Sequence, residues 1–247
     1  LAVCLRRVAE IPFCFDNLAC HLWYVYLLIG LYLFTPIMAA WLRGATRREV
    51  EMVLALWLAS TWLPYMREFV AHYVFGECEW NEFGMFYYFS GFAGYMLLGH
   101  YVVRYVPMRA MPTVSFAVPA FVVGAVVTWL GFRYMTALPA TTPEQTELFW
   151  YYCSPNVVLM TIALFLTVRL IPTSGWVARA LENFTLCGFG IYLVHYFFIG
   201  PTYKLVEQMH LHNGVRVPLA AAMTVAASWA LIAAVKRCCK HTQWLIG

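Results

Sequence analysis

His21, Glu68, His72 and His195 lie inside or beside long apolar stretches, where each could hold or move a proton at a place that ordinarily rejects charge. Arg67 precedes Glu68, and Glu68 and His72 are four residues apart, the spacing that puts two side chains on one face of a helix. Tyr192 stands three residues before His195. Trp23 and Tyr24 follow His21, and Tyr87, Tyr88 and Ser90 add hydroxyls. Each residue also has a structural reading. Arg67 and Glu68 could pair with one another or reach for the membrane surface. His195 could be a hydrogen-bonded packing residue, and His21 a member of an interfacial aromatic belt. His100 reads as structural.

A second group is basic. Arg43, Arg47, Arg48, Arg104 and Arg109 could hold the phosphates of a nucleotide-bearing donor. Their competing origin is topological, because inner loops of membrane proteins collect Lys and Arg in any case. The sequence has no Gly-rich phosphate loop, no metal-ligand spacing and no Gly-x-Ser-x-Gly nucleophile elbow. A bound metal is therefore not expected, and the scattered basic residues do not form a nucleic-acid surface.

The elements that must position these groups are apolar helices. Residues 22–41 contain no charge, and a bilayer core of roughly 30 Å needs about 20 such residues in a helix. Similar runs follow at 53–74, 83–103, 114–131, 155–168, 184–200 and 217–235. With 63% hydrophobic and 11% charged residues over 247 positions, a soluble fold is excluded. The expected fold is all-α, a polytopic transmembrane bundle of seven spans. Residues 1–21 form an exterior lead-in, and 22–247 form the bundle.

Basic residues favour alternate connections. Those after the first, third and fifth runs, with the tail, carry ten Lys or Arg, and the other connections carry three. The first set and the C-terminus are expected to be cytoplasmic. Arg6 and Arg7 weigh against this, because the first helix then enters from outside, which would be natural if an odd number of spans preceded it. His21, Arg67, Glu68, Tyr88, Ser90, Tyr192 and His195 then fall toward the outer leaflet, and the five arginines toward the inner one. Pro36 and Pro64 are expected to bend their helices. Ser90, Gly94, Gly188 and Gly190 are expected at close helix contacts. Of the eight cysteines, Cys187 reads as a packing residue. Cys78 and Cys153 fall on connections of one face, where a disulfide is conceivable, and Cys238 and Cys239 read as interfacial thiols. No internal repeat is found, which disfavours an inverted-repeat transporter.

Several stretches together resemble membrane acyltransferase family 3, bacterial proteins that typically O-acetylate sugars of surface polysaccharides and lipids. They are His21-Leu22-Trp23-Tyr24, Leu28-Ile29-Gly30-Leu31-Tyr32-Leu33 with Thr35-Pro36, Tyr87-Tyr88-Phe89-Ser90-Gly91-Phe92, Gly94-Tyr95-Met96-Leu97-Leu98-Gly99, and Phe189-Gly190-Ile191-Tyr192-Leu193-Val194-His195. The resemblance runs from His21 to the C-terminus. It implies acetyl-CoA or another acyl-CoA as donor and a sugar or polysaccharide hydroxyl as acceptor. It also implies a place in the inner (cytoplasmic) membrane, in contact with membrane lipid.

Family members begin with a first span that carries an Arg and a catalytic His, and a second with a Phe-Phe-x-x-Ser-Gly element. Nothing in residues 1–20 matches either. About three N-terminal spans are thus expected to be missing, the odd number that the charge pattern requires. The family base is carried onto no residue here, and this fragment alone is expected to be inactive. His21, Trp23, Tyr24, Arg67, Glu68, Tyr88, Ser90, Tyr192 and His195 remain candidates for the substrate side. The alternatives are a small-solute transporter, with Arg67, Glu68 and His195 in its path, and a non-catalytic membrane remnant.

Overall fold

A computed structural model describes residues 21–71, 73–107, 109–171 and 174–238. The described residues are helical and contain no strand. In chain order the helices are α1 (Trp23–Gly44), α2 (Arg47–Ser60), α3 (Leu63–Phe69), α4 (Ala93–Tyr105), α5 (Ala110–Ala137), α6 (Pro143–Glu147), α7 (Pro155–Val168), α8 (Gly175–Glu207) and α9 (Asn213–Cys238). Two 3-10 turns, Val74–Gly76 and Gly84–Phe89, lie between α3 and α4. The chain forms two compact units, Ile29–Ile171 as one and Leu1–Leu28 with Pro172–Gly247 as the other, so the division falls within α1.

Four helices, α1, α5, α8 and α9, are long and apolar enough to cross a membrane. The second, third and fifth apolar runs are helical too, but shorter than a span. At 14 residues, α2 and α7 each reach about 21 Å at roughly 1.5 Å per residue, short of a bilayer core. The second run breaks where Ser60 and Thr61 turn their hydroxyls back onto the Trp57 and Leu58 carbonyls. Pro64, which lacks an N–H, then begins α3. It starts a new helix rather than bending a long one, whereas Pro36 sits inside the continuous α1.

The third run breaks at Gly91, whose φ of +81° favours glycine. Its carbonyl accepts a 2.8 Å hydrogen bond from the Trp57 indole N–H. Tyr88 and Ser90 consequently precede α4 instead of lying in a span.

The core of the larger unit is built on helical spacing. Val50, Leu54 and Trp57 of α2 meet Leu97, Leu98 and Val102 of α4 and Val158 and Leu166 of α7. A Cβ on Gly94 would lie 2.1 Å from the Trp57 ring, so glycine alone lets α4 approach the indole. Small residues, Ala117, Ala120 and Ala163, join α5 to α7. Buried Asn156 ties three elements together: its amide donates to Thr128 Oγ1 and the Phe149 carbonyl, both at 2.7 Å, and its Oδ1 accepts from the Tyr65 hydroxyl.

The other unit is an α8–α9 hairpin. Cys187, Ile191 and Ile232 form its core, with Gly190 pressed against Ile232. Thr202 and Thr224 share a buried 2.6 Å hydroxyl contact. The small residues expected at helix contacts divide accordingly. Gly94 and Gly190 serve that purpose, Gly188 faces open space, and the Ser90 hydroxyl caps the Tyr87 carbonyl. Cys78 and Cys153 are free thiols, and burial pushes the Cys153 thiol up to about 11. Cys4, Cys14, Cys20 and Cys239, with Arg6, Arg7 and Lys240, lie outside the described residues.

Candidate functional site

Helix direction sorts the polar residues of the larger unit to two ends. The helices α2 and α4 run antiparallel, as do α5 and α7, so the start of α2 shares an end with the close of α4 and α7 and the start of α5. All five donor-side arginines fall there. Arg43 is in the last turn of α1, Arg47 and Arg48 open α2, Arg104 is in the last turn of α4, and Arg109 caps α5.

The capping box at the start of α2 sets this end. The Thr46 hydroxyl accepts from the Glu49 N–H, and the Glu49 carboxylate accepts from the Thr46 N–H at 2.6 Å. Those bonds hold the exposed Glu49 carboxyl below its ordinary pKa. Arg47 is already engaged: it pairs with Glu51 at 2.7 Å and lies over the Tyr101 and Tyr105 rings, with Arg104 also over Tyr105. Among the described residues, Arg43, Arg48, Arg104 and Arg109 have no carboxylate at ion-pair distance. Arg169 follows α7 at the same end. Its guanidinium donates to the Val102 and Val106 carbonyls at 2.6 and 3.4 Å and closes the end of α4.

The opposite end of the unit holds a cavity of about 280 Å³ whose polar lining includes Arg67, Glu68, Glu82, Glu144, Gln145 and Tyr151. Arg67 and Glu68 do not pair with each other. Arg67 donates to Glu77 Oε1 at 3.1 Å and to the Glu82 carbonyl at 2.5 Å. Glu68 accepts both of its bonds from the Gln145 amide, at 3.0 and 3.2 Å. Adjacent residues on a helix point about 100° apart, so each side chain finds its own partner. The Glu77 side chain is 2% exposed, and its Oε2 is buried with no hydrogen-bond partner among the described residues. The shared face expected for Glu68 and His72 is not formed within α3, which ends at Phe69; His72 lies outside the described residues.

Tyr88 and Ser90 are not at this cavity. They border an apolar groove of about 220 Å³ together with Phe34, Met38, Trp41 and Trp57. Glu77 and Gln145 are side chains of this cavity region that sequence reasoning did not single out. Only the charge of Glu77 and the polar Pro-containing stretch around Gln145 signalled them.

The smaller unit gathers the remaining candidates. His21 stacks on Tyr196 with ring centroids 4.7 Å apart and an interplanar angle of 3°. It meets His195 edge-on at 5.8 Å, and Tyr24 meets Tyr192 edge-on at 5.4 Å. Trp23 packs against Tyr24 at 5.9 Å. The Tyr192 hydroxyl donates to the His21 carbonyl. His195 Nδ1 lies 2.6 Å from the Tyr192 carbonyl, which can only accept, so Nδ1 carries a proton and Nε2 is the ring nitrogen left for another partner. His21 Nδ1 is buried with no hydrogen-bond partner among the described residues, and burial, then the neighbouring His195, pull its pKa down. A helical step of three or four residues from Tyr192 reaches both His195 and Tyr196, which sequence reasoning had passed over. The arrangement can meet a hydroxyl with a hydrogen bond in an aromatic setting.

A family model described as an acyltransferase domain matches residues 9–233, nearly the whole chain. No curated protein and no solved structure matches the chain significantly.

Proposed function

The chain belongs to acyltransferase family 3 and carries helices able to cross a membrane, and from that premise we propose that it moves an acetyl or other acyl group from acyl-CoA to a hydroxyl of a surface polysaccharide or lipid-linked sugar. The observation that carries this reading is the polarity of the larger unit, with arginines that meet no carboxylate among the described residues at one end and a hydrogen-bonding cavity at the other.

Guanidinium groups match phosphate oxygens in geometry as well as charge, which suits the donor's nucleotide to Arg43, Arg48, Arg104 and Arg109. Arg47 holds that end together through Glu51 and Tyr101. The cavity offers both carboxylate acceptors and amide, guanidinium and phenol donors. That mixture is what a ring of hydroxyls requires, and about 280 Å³ suits a single sugar unit rather than a large ligand.

In the transfer, the acceptor oxygen forms a bond to the acyl carbon and loses its proton to a base. The thioester C–S bond breaks, and the thiolate takes up a proton. A positioned base contributes roughly 10²–10⁴-fold. Low-dielectric surroundings strengthen the dipoles that meet the developing oxyanion. Glu68 and Arg67 are the acceptor-side candidates of the larger unit and His21 and His195 those of the smaller one; none is assigned the role of the family base. The protein lies in the inner membrane with the arginine end and the C-terminus cytoplasmic.

The test is acyl transfer from radiolabelled acetyl-CoA to cell-surface glycan by the intact enzyme carrying His195→Ala and Glu68→Ala together. A loss of at least two orders of magnitude is expected. Full activity would overturn the site. Solute uptake by reconstituted vesicles, with no acyl transfer, would overturn the enzyme reading in favour of a permease.

A further inference from the structure

The α8–α9 hairpin carries a basic pocket that acyl transfer does not use. Arg179 near the start of α8 and Lys236 and Arg237 in the last turn of α9 line a concavity of about 820 Å³, with Asn183, Cys187 and Trp229. Among the described residues no carboxylate lines it; Glu182, three residues from Arg179, is not part of the wall. Lys236 is half-buried and does not simply extend outward: its ammonium donates to the Leu186 carbonyl on the facing helix. The Trp229 indole N–H donates to Asn183 Oδ1 at 3.0 Å, which fixes the opposite wall. Cations that served topology alone would need neither a shared concavity nor cross-hairpin ties.

We propose that this pocket binds the phosphate of an anionic phospholipid headgroup. Both helices are long and apolar enough to cross the bilayer, and the cations sit where they end, at headgroup depth. Phe184, Leu186 and Leu231, exposed on the same two helices, lie farther along them from the cations, at the depth of acyl tails. A soluble phosphate would have no use for those side chains. Trp229 combines an apolar face with a hydrogen-bonding edge, the character of residues at the membrane interface. Basic pockets between membrane helices hold anionic headgroups on this principle.

The experiment is native mass spectrometry of the purified full-length chain, delipidated and then exposed to micelles containing equal phosphatidylglycerol and phosphatidylcholine. Phosphatidylglycerol is expected to be retained in preference. The Arg179→Gln, Lys236→Gln, Arg237→Gln triple variant should lose that retention by on the order of a hundredfold, from roughly fivefold per cation. The charge-preserving triple, Arg179→Lys, Lys236→Arg, Arg237→Lys, should keep it, which separates lost charge from lost fold. Equal retention of the two lipids, or equal loss in both triples, overturns the proposal. Displacement of the lipid by millimolar inorganic phosphate also overturns it and assigns the pocket to a soluble phosphate.

Discussion

Arg47–Glu51 and Arg67–Glu77 are both arginine–glutamate pairs of the larger unit, yet they stand in different physical regimes. The first joins neighbours on one face of α2, with side chains 58% and 41% exposed. Water solvates both partners, and the pair owes its order to Tyr101, whose hydroxyl donates to Glu51 at 2.7 Å. The second joins α3 to the segment after it, and its carboxylate is 2% exposed. Burying that charge removed its hydration, and Arg67 offsets the loss while also holding the Glu82 carbonyl. The exposed pair tolerates the loss of a partner; the buried one leaves an uncompensated charge. Geometry of contact is thus a poor guide to importance, and burial decides it.

Removing the buried cation should have the largest effect. Arg67→Met is expected to destabilise the larger unit by about 3–5 kcal/mol, read by denaturant unfolding in detergent. Adding Glu77→Gln to that variant should recover part of the loss, since a neutral amide replaces the stranded carboxylate. If Arg67→Met is silent, the contrast between the pairs fails.

A smaller effect is expected at the cavity wall. Gln145→Ala deprives Glu68 of both bonds from the amide and should cost about 1 kcal/mol of stability, with Gln145→Asn intermediate. Acetyl transfer should fall in parallel with a raised acceptor KM, which a purely structural residue would not produce.

At the exposed pair, Arg47→Gln should leave the thermal midpoint unchanged at physiological salt and lower it only at low ionic strength. An effect rivalling that of Arg67→Met would show that Arg47 is more buried in the membrane-embedded protein than its exposure indicates.

The smallest effect concerns pH. Glu49 binds its proton less readily in the folded chain than in the unfolded one, so its stabilisation of α2 is complete above its ordinary pKa of 4.5. It is lost as pH falls through the lowered folded value. Hydrogen exchange of the first amides of α2 should quicken over that acid window, and Glu49→Gln should abolish the dependence.

Much of the fold was legible in composition alone. The apolar runs at 114–131, 184–200 and 217–235 fall inside long helices, and that at 22–41 does so from Trp23 onward. The run at 155–168 coincides with α7. Less legible were the breaks in the second and third runs, because hydrophobicity does not record where backbone hydrogen bonding stops. Pro64 marked one break, but whether a proline bends a helix or starts one depends on neighbouring packing. Gly91 marked the other, through a left-handed φ that a glycine permits but does not require. The imidazole cluster was half legible: His21, Tyr24, Tyr192 and His195 were singled out separately, while their meeting spans 171 residues of chain from His21 to Tyr192.

The sequence by itself determined a helical fold with membrane-spanning segments, because bilayer thickness and backbone hydrogen bonding leave an apolar chain few other forms, and its motifs carried the likeness to acyltransferase family 3. It also determined which residues lie at which ends of the larger unit's helices, because direction follows from chain order once the helices pack antiparallel. Tertiary structure alone decided the partners. Arg67 chose Glu77 over its neighbour Glu68, Glu68 took Gln145, and His195 set its Nδ1 on the Tyr192 carbonyl. A charge or lone pair in a low-dielectric interior must be met by whatever group the fold brings within about 3 Å, and sequence proximity does not specify that group.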